Sequence, residues 1–74
     1  MDKLTTAIVH ELQARTAISP TQAQDAHAVR AAVGCSSVHF DAALVKLTDL
    51  EVVGAVMSDL YLRRDNPDVL RMLG

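Results

Sequence analysis

Cys35 and His39 stand four residues apart, while His10 and His27 lie elsewhere in the chain. These are the side chains with which the 74-residue protein could hold a soft metal or activate a nucleophile. A spacing of four puts thiol and imidazole one helical turn apart, but a metal centre needs three or four convergent ligands. A lone C-x₃-H does not supply them, so neither metal nor other cofactor is expected. Nucleophilic catalysis from Cys35 or a serine would need a base, an orienting group and a pocket around the substrate. A chain this short has little room for all three, and the expectation is a protein that is not an enzyme. What remains is binding chemistry: Lys46 and the adjacent pair Arg63-Arg64 are the cations that could meet phosphate.

Charge weighs against phosphate as the main ligand. Seven basic and nine acidic residues leave a net charge of −2. Both ends are balanced, so the deficit falls on Gly34 to Met57, where Lys46 faces Asp41, Asp49 and Glu51. Half of the residues are apolar, yet Phe40 and Tyr61 are the only aromatic ones. A core of Leu, Val, Ile, Met and Ala favours closely packed helices and leaves apolar surface over, for which a homodimer is a natural outlet. Cys35 has no partner for an intrachain disulfide, no apolar run approaches 18 residues, and no basic leader precedes an apolar stretch. The expectation is a cytoplasmic protein with no membrane segment.

The elements that must position these side chains follow from spacing. Leu4, Ala7, Ile8 and Leu12 predict an amphipathic helix over residues 2–15. Ser19-Pro20-Thr21-Gln22 reads as a capping box with proline at the first helical position, predicting a second helix over 20–33 with Ala23, Ala26, Val29 or Arg30, and Val33 inward. Gly34 supplies its left-handed stop. Ser36 or Ser37 then caps a third helix over 36–50, on which Phe40, Ala43, Leu44, Leu47 and Leu50 form an apolar stripe. Over 52–63 two readings compete: a hairpin turning at Ser58-Asp59, which is preferred, or a fourth helix with Val53, Val56, Met57 and Leu60 inward. Asn66-Pro67-Asp68 opens a short closing helix over 67–72. The fold class is a single mainly α domain of three to four helices with a short β-hairpin.

The segment from Val29 to Val53 resembles a pattern found in winged helix-turn-helix DNA-binding regulators, L-x-x-x-L-G-x-S-x-x-x-V-x-x-A-L-x-x-L-x-x-x-G-x-V. Val29 and Val33 stand at the two leucines, Gly34 at the turn glycine and Ser36 at the capping serine. Phe40, Ala43, Leu44 and Leu47 follow at the positions that anchor the recognition helix, and Val53 at the valine entering the wing. The resemblance implies a winged helix-turn-helix-like domain and a small dimeric transcriptional regulator that places its third helix in the major groove. Two departures stand out. Glu51 replaces the glycine before the wing, and the outward positions of the third helix hold Ser37, Val38, His39, Asp41, Ala42 and Val45 instead of base-reading side chains. Small size, acidity and helical pattern are also similar to acyl carrier proteins, but their Asp-Ser-Leu attachment motif appears here in another order, Ser58-Asp59-Leu60.

The contact residues expected for DNA or a protein partner are therefore Ser37, Val38, His39, Ala42, Lys46, Arg63 and Arg64. Val38, Ala42 and Val45 make a second, outward apolar strip on the third helix, which points to the alternative function: a protein-interaction or assembly module on the same scaffold that does not bind DNA.

Overall fold

The computed structural model describes residues 2–73. Helix α1 spans Lys3–Ala14, strand β1 Gln24–Asp25, α2 Ala26–Val33, α3 Ser37–Asp49, β2 Val53–Val56, β3 Asp59–Leu62 and α4 Pro67–Leu73. The class is as expected: mainly helical, with the 52–63 segment resolved in favour of the hairpin. The order helix, strand, helix, turn, helix, strand, wing, strand is winged helix-turn-helix-like. Chain direction turns by 111° between α2 and α3 across Gly34-Cys35-Ser36, within the range of helix-turn-helix units.

Each helix begins on a side-chain cap. Asp2 accepts from the Thr5 backbone N–H at 2.8 Å, Asp25 from Ala28 N–H at 3.1 Å, and Ser36 from His39 N–H at 3.3 Å. Asn66 accepts from Asp68 N–H at 2.9 Å. These acceptors satisfy donors that the first helical turn leaves free. Gly34, at φ +80°, ends α2 with its N–H on the Arg30 carbonyl at 2.8 Å.

The second helix starts six residues later than the capping-box reading places it. Pro20–Gln22 form a single 3₁₀ turn, and the Ser19 hydroxyl bonds Thr21 Oγ1 and Gln22 Oε1, each at 3.1 Å, without capping the backbone. Gln24 and Asp25 pair antiparallel with Leu60 and Asp59, and Ala26 N–H donates to the Ser58 carbonyl at 2.9 Å. Those bonds to the wing hold the segment extended and move the cap to Asp25, a tertiary pairing that overrides a local helix signal.

The sheet order β1-β3-β2 makes β3 the central strand, with Leu60 and Leu62 buried and Asp59 and Tyr61 turned outward. Val56 pairs with Asp59, so the hairpin turns on Met57-Ser58, one residue before the expected site. Only Met57 has a positive φ there, +56°, the pattern of a type II′ turn, whose first central position usually holds glycine.

Ile8, Leu12, Val29, Phe40, Leu47, Val53, Leu62 and Val69 form one core beneath the helices and sheet. Thr5 and Val9 are buried with it, Thr5 because its hydroxyl reaches the Asp2 carbonyl and carboxylate. Ala26, Val33 and Leu44 pack on the core's margin, and Arg30 points its guanidinium at the Cys35 carbonyl, 3.5 Å away. Leu50 does not continue the α3 stripe: it is 58% exposed. The helix ends at Asp49, the chain reverses at Glu51, and Val52 takes the buried position in its place.

Candidate functional site: the outer face of α3 and the wing

Helix α3 has two apolar faces. Phe40, Ala43 and Leu47 are buried where α3 packs on α1 and β2, and Leu44 is half-buried. On the opposite side Val38 is 75% exposed and Val45 59%, with Ala42 exposed between them. Ser37 and His39 are exposed as well, at the first turn. The Ser36 hydroxyl and His39 Nδ1 share a hydrogen bond of 3.0 Å that folds the imidazole back over the cap.

The expected cations are mostly engaged within the molecule. Lys46 Nζ lies 3.2 Å from Asp2 Oδ2, which joins the middle of α3 to the start of α1. Hydrogen bonds from the Thr5 backbone and hydroxyl, followed by Lys46, pull the Asp2 carboxyl down to about 2. Arg63 forms a two-pronged pair with Asp65, Nε to Oδ1 at 3.1 Å and the second nitrogen to Oδ2 at 2.6 Å. That contact raises the Arg63 guanidinium and lowers the Asp65 carboxyl from their ordinary values. Arg64 is exposed, with no acidic partner among the described residues.

On the acidic side, Asp41, Asp49 and Glu51 are exposed and carry no ion pair among the described residues. The seven expected contact residues therefore fall into two groups. Ser37, Val38, His39, Ala42 and Lys46 share α3, whereas Arg63 and Arg64 follow β3 at the base of the wing. A shallow cleft of about 150 Å³ runs between α2 and α3, lined by His27, Arg30, Phe40, Asp41 and Leu44 among others. It is too small to enclose most ligands. Among the described residues no three His, Cys, Asp or Glu side chains gather in a metal-binding group, and no single helix is long and apolar enough to cross a membrane.

The wing tip adds two residues that spacing did not single out as contacts. Met57 is 99% exposed and Val56 41%, and Met57 sits at the positive φ noted above. A large apolar side chain held fully in solvent on an unfavourable backbone marks a position worth testing for contact. The available signal was a Val-Met pair beside a turn with no glycine. From Val53 to Leu62 the hairpin carries no Lys or Arg that could meet phosphate.

No family model, curated protein or solved structure matches the chain. The exposed chemistry of α3 and the wing must carry the functional reading.

Proposed function

We propose that this domain is a protein-interaction module on a winged helix-turn-helix-like scaffold, with the outer face of α3 and the wing tip as its contact surface. One observation carries the reading: α3 turns Val38, Ala42 and Val45 to solvent in a line, while the one cation on that helix is spent on Asp2. An exposed apolar strip with unpaired carboxylates beside it suits the core and rim of a protein interface. It suits a polyanion poorly, since Asp41 and Asp49 would meet phosphate with like charge.

A second reading, a small dimeric DNA-binding transcription regulator, is favoured by the 111° turn between α2 and α3 and by exposed Arg64. Titration of random duplex DNA at low and raised salt separates the two. The interaction reading expects no binding at low salt. Affinity that falls steeply with salt and is abolished by Arg63→Ala with Arg64→Ala would overturn it in favour of DNA.

A further inference from the structure

The outer strip of α3 has the spacing of a helix-pairing seam. Lettered as a heptad, Ala42 takes position a, with Val38 and Val45 at the flanking d positions. Phe40 and Leu47 then fall at f and Ala43 at b, and these are the residues buried in the domain's own core. One face of α3 thus belongs to the fold, and the face opposite it carries the a/d pattern. The flanks are charged in a particular order: Asp41 is at g and Lys46 at e, five residues on. Asp41 lies on the α2 side, where it lines the cleft. Lys46 lies on the α1 side, where it reaches Asp2.

We infer that α3 is a homodimer interface that pairs in parallel with α3 of a second copy. This rests on the reading of α3 as a protein-contact face and names the occupant. Charge complementarity selects both occupant and direction. In a parallel pair, each g residue faces the e residue five positions on in the partner, so Asp41 meets Lys46 of the other copy twice over. An antiparallel pair centred on the same three apolar residues sets the two Asp41 side chains against each other. The bridge from Lys46 to Asp2 does not prevent the exchange, because both side chains are more than half exposed and such pairs are held weakly. Asp49, at the next a position, limits the seam to Val38 through Val45. An interface of two turns is smaller than that of a permanent dimer, so monomer and dimer exchange and the dimer grows with concentration.

Sedimentation velocity across a concentration series tests this on the full chain. Wild type is expected to shift from monomer to dimer. Val38→Asp is expected to stay monomeric with its fold intact, because an acidic residue suits the first turn of a helix. Asp41→Lys and Lys46→Asp should each weaken dimerisation by about tenfold, and the two together, which restore opposite charges across the seam, should recover it. A monomer at every concentration, a dimer that survives Val38→Asp, or a double variant no better than the single ones would each overturn the pairing. None of these results would by itself overturn the interaction reading, which stands or falls on the DNA titration.

Discussion

Replacing Glu51 by glycine should stabilise this protein, although it removes a side chain and loosens the unfolded chain. Glu51 follows the last turn of α3 at φ +60°. Its N–H donates to the Thr48 carbonyl at 3.0 Å, and Val52 N–H to the Leu47 carbonyl at 2.9 Å. These are the two bonds of a Schellman helix end, which places its left-handed residue where glycine is strongly preferred. A Cβ in that conformation costs about 1–2 kcal/mol, and glycine's extra freedom in the unfolded chain returns about 0.4–1 kcal/mol. The balance favours glycine by about 0.8 kcal/mol, or about 3–6 °C in Tm for a domain of this size. The side chain's charge is a separate effect, since a carboxylate beside a helix C-terminus is unfavourable. Glu51→Ala removes that charge and keeps the Cβ, so the gain of Glu51→Gly over Glu51→Ala gives the net backbone effect, the strain of the Cβ less glycine's freedom in the unfolded chain. Thermal melts followed by far-ultraviolet circular dichroism measure all three proteins. Equal Tm values for the glycine and alanine variants would refute the argument, because the left-handed turn would then cost no more than glycine's extra freedom in the unfolded chain.

Three further outcomes follow from the same geometry. Asn66 Nδ2 donates to the Leu50 and Glu51 carbonyls at 3.2 and 3.1 Å while its Oδ1 caps α4, so Asn66→Ala should cost about 1–2 kcal/mol, read as a lower urea midpoint at unchanged slope. The Asp2 carboxyl sits at about 2, against an ordinary 3.8; a lowered folded-state value means its contribution is present above 3.8 and lost as pH falls through about 2. Asp2→Asn should accordingly flatten the acid limb of the stability profile over that interval, and an unchanged limb would rule Asp2 out as its source. Tyr61 packs its ring over Gly54, its cross-strand partner, where an added Cβ would overlap the ring. With one tyrosine and no tryptophan in the chain, Gly54→Ala should alter the near-ultraviolet tyrosine signal while helix content holds; an unaltered signal would show that the ring does not rest there.

The fold was legible wherever a local interaction decides the structure. Ser36, Gly34 and Asn66 cap or stop helices through bonds to residues two to four positions away, and Phe40, Ala43 and Leu47 follow from helical period alone. Sequence reading failed where the deciding partner is distant. Ser19-Pro20 carries a sound helix start, but Gln24 and Asp25 are claimed by a strand 34 or more positions later. The turn at Met57 depends on the register of Val53 to Val56 against β3, and no turn residue announces it. At Glu51 the glycine position of the resembled pattern is kept in shape without glycine: the two Schellman bonds and Asn66's grip on its carbonyl hold the residue in place.

The same distinction governs the contact face. Period places Val38, Ala42 and Val45 outward, and exposure agrees. The charge that α3 presents depends instead on which carboxylates claim which cations. Asp65 sits two residues from Arg63, so that neutralisation can be suspected from sequence. Asp2 is 44 residues from Lys46, so only the packing of α1 across α3 reveals that the helix's one cation is engaged. With Lys46 and Arg63 both held by carboxylates, a net count understates how acidic this surface is, because Asp41, Asp49 and Glu51 are left without compensation. A polyanion approaching α3 would have to displace Asp2 before it gained even one lysine. A second copy of α3 needs to displace only the same exposed bridge, and it offers Asp41 in exchange. Phosphate would keep the lysine paired as well, so the choice falls to Asp41: a second α3 offers it Lys46, whereas a nucleic acid meets it, Asp49 and Glu51 with like charge, and the charges favour a like helix.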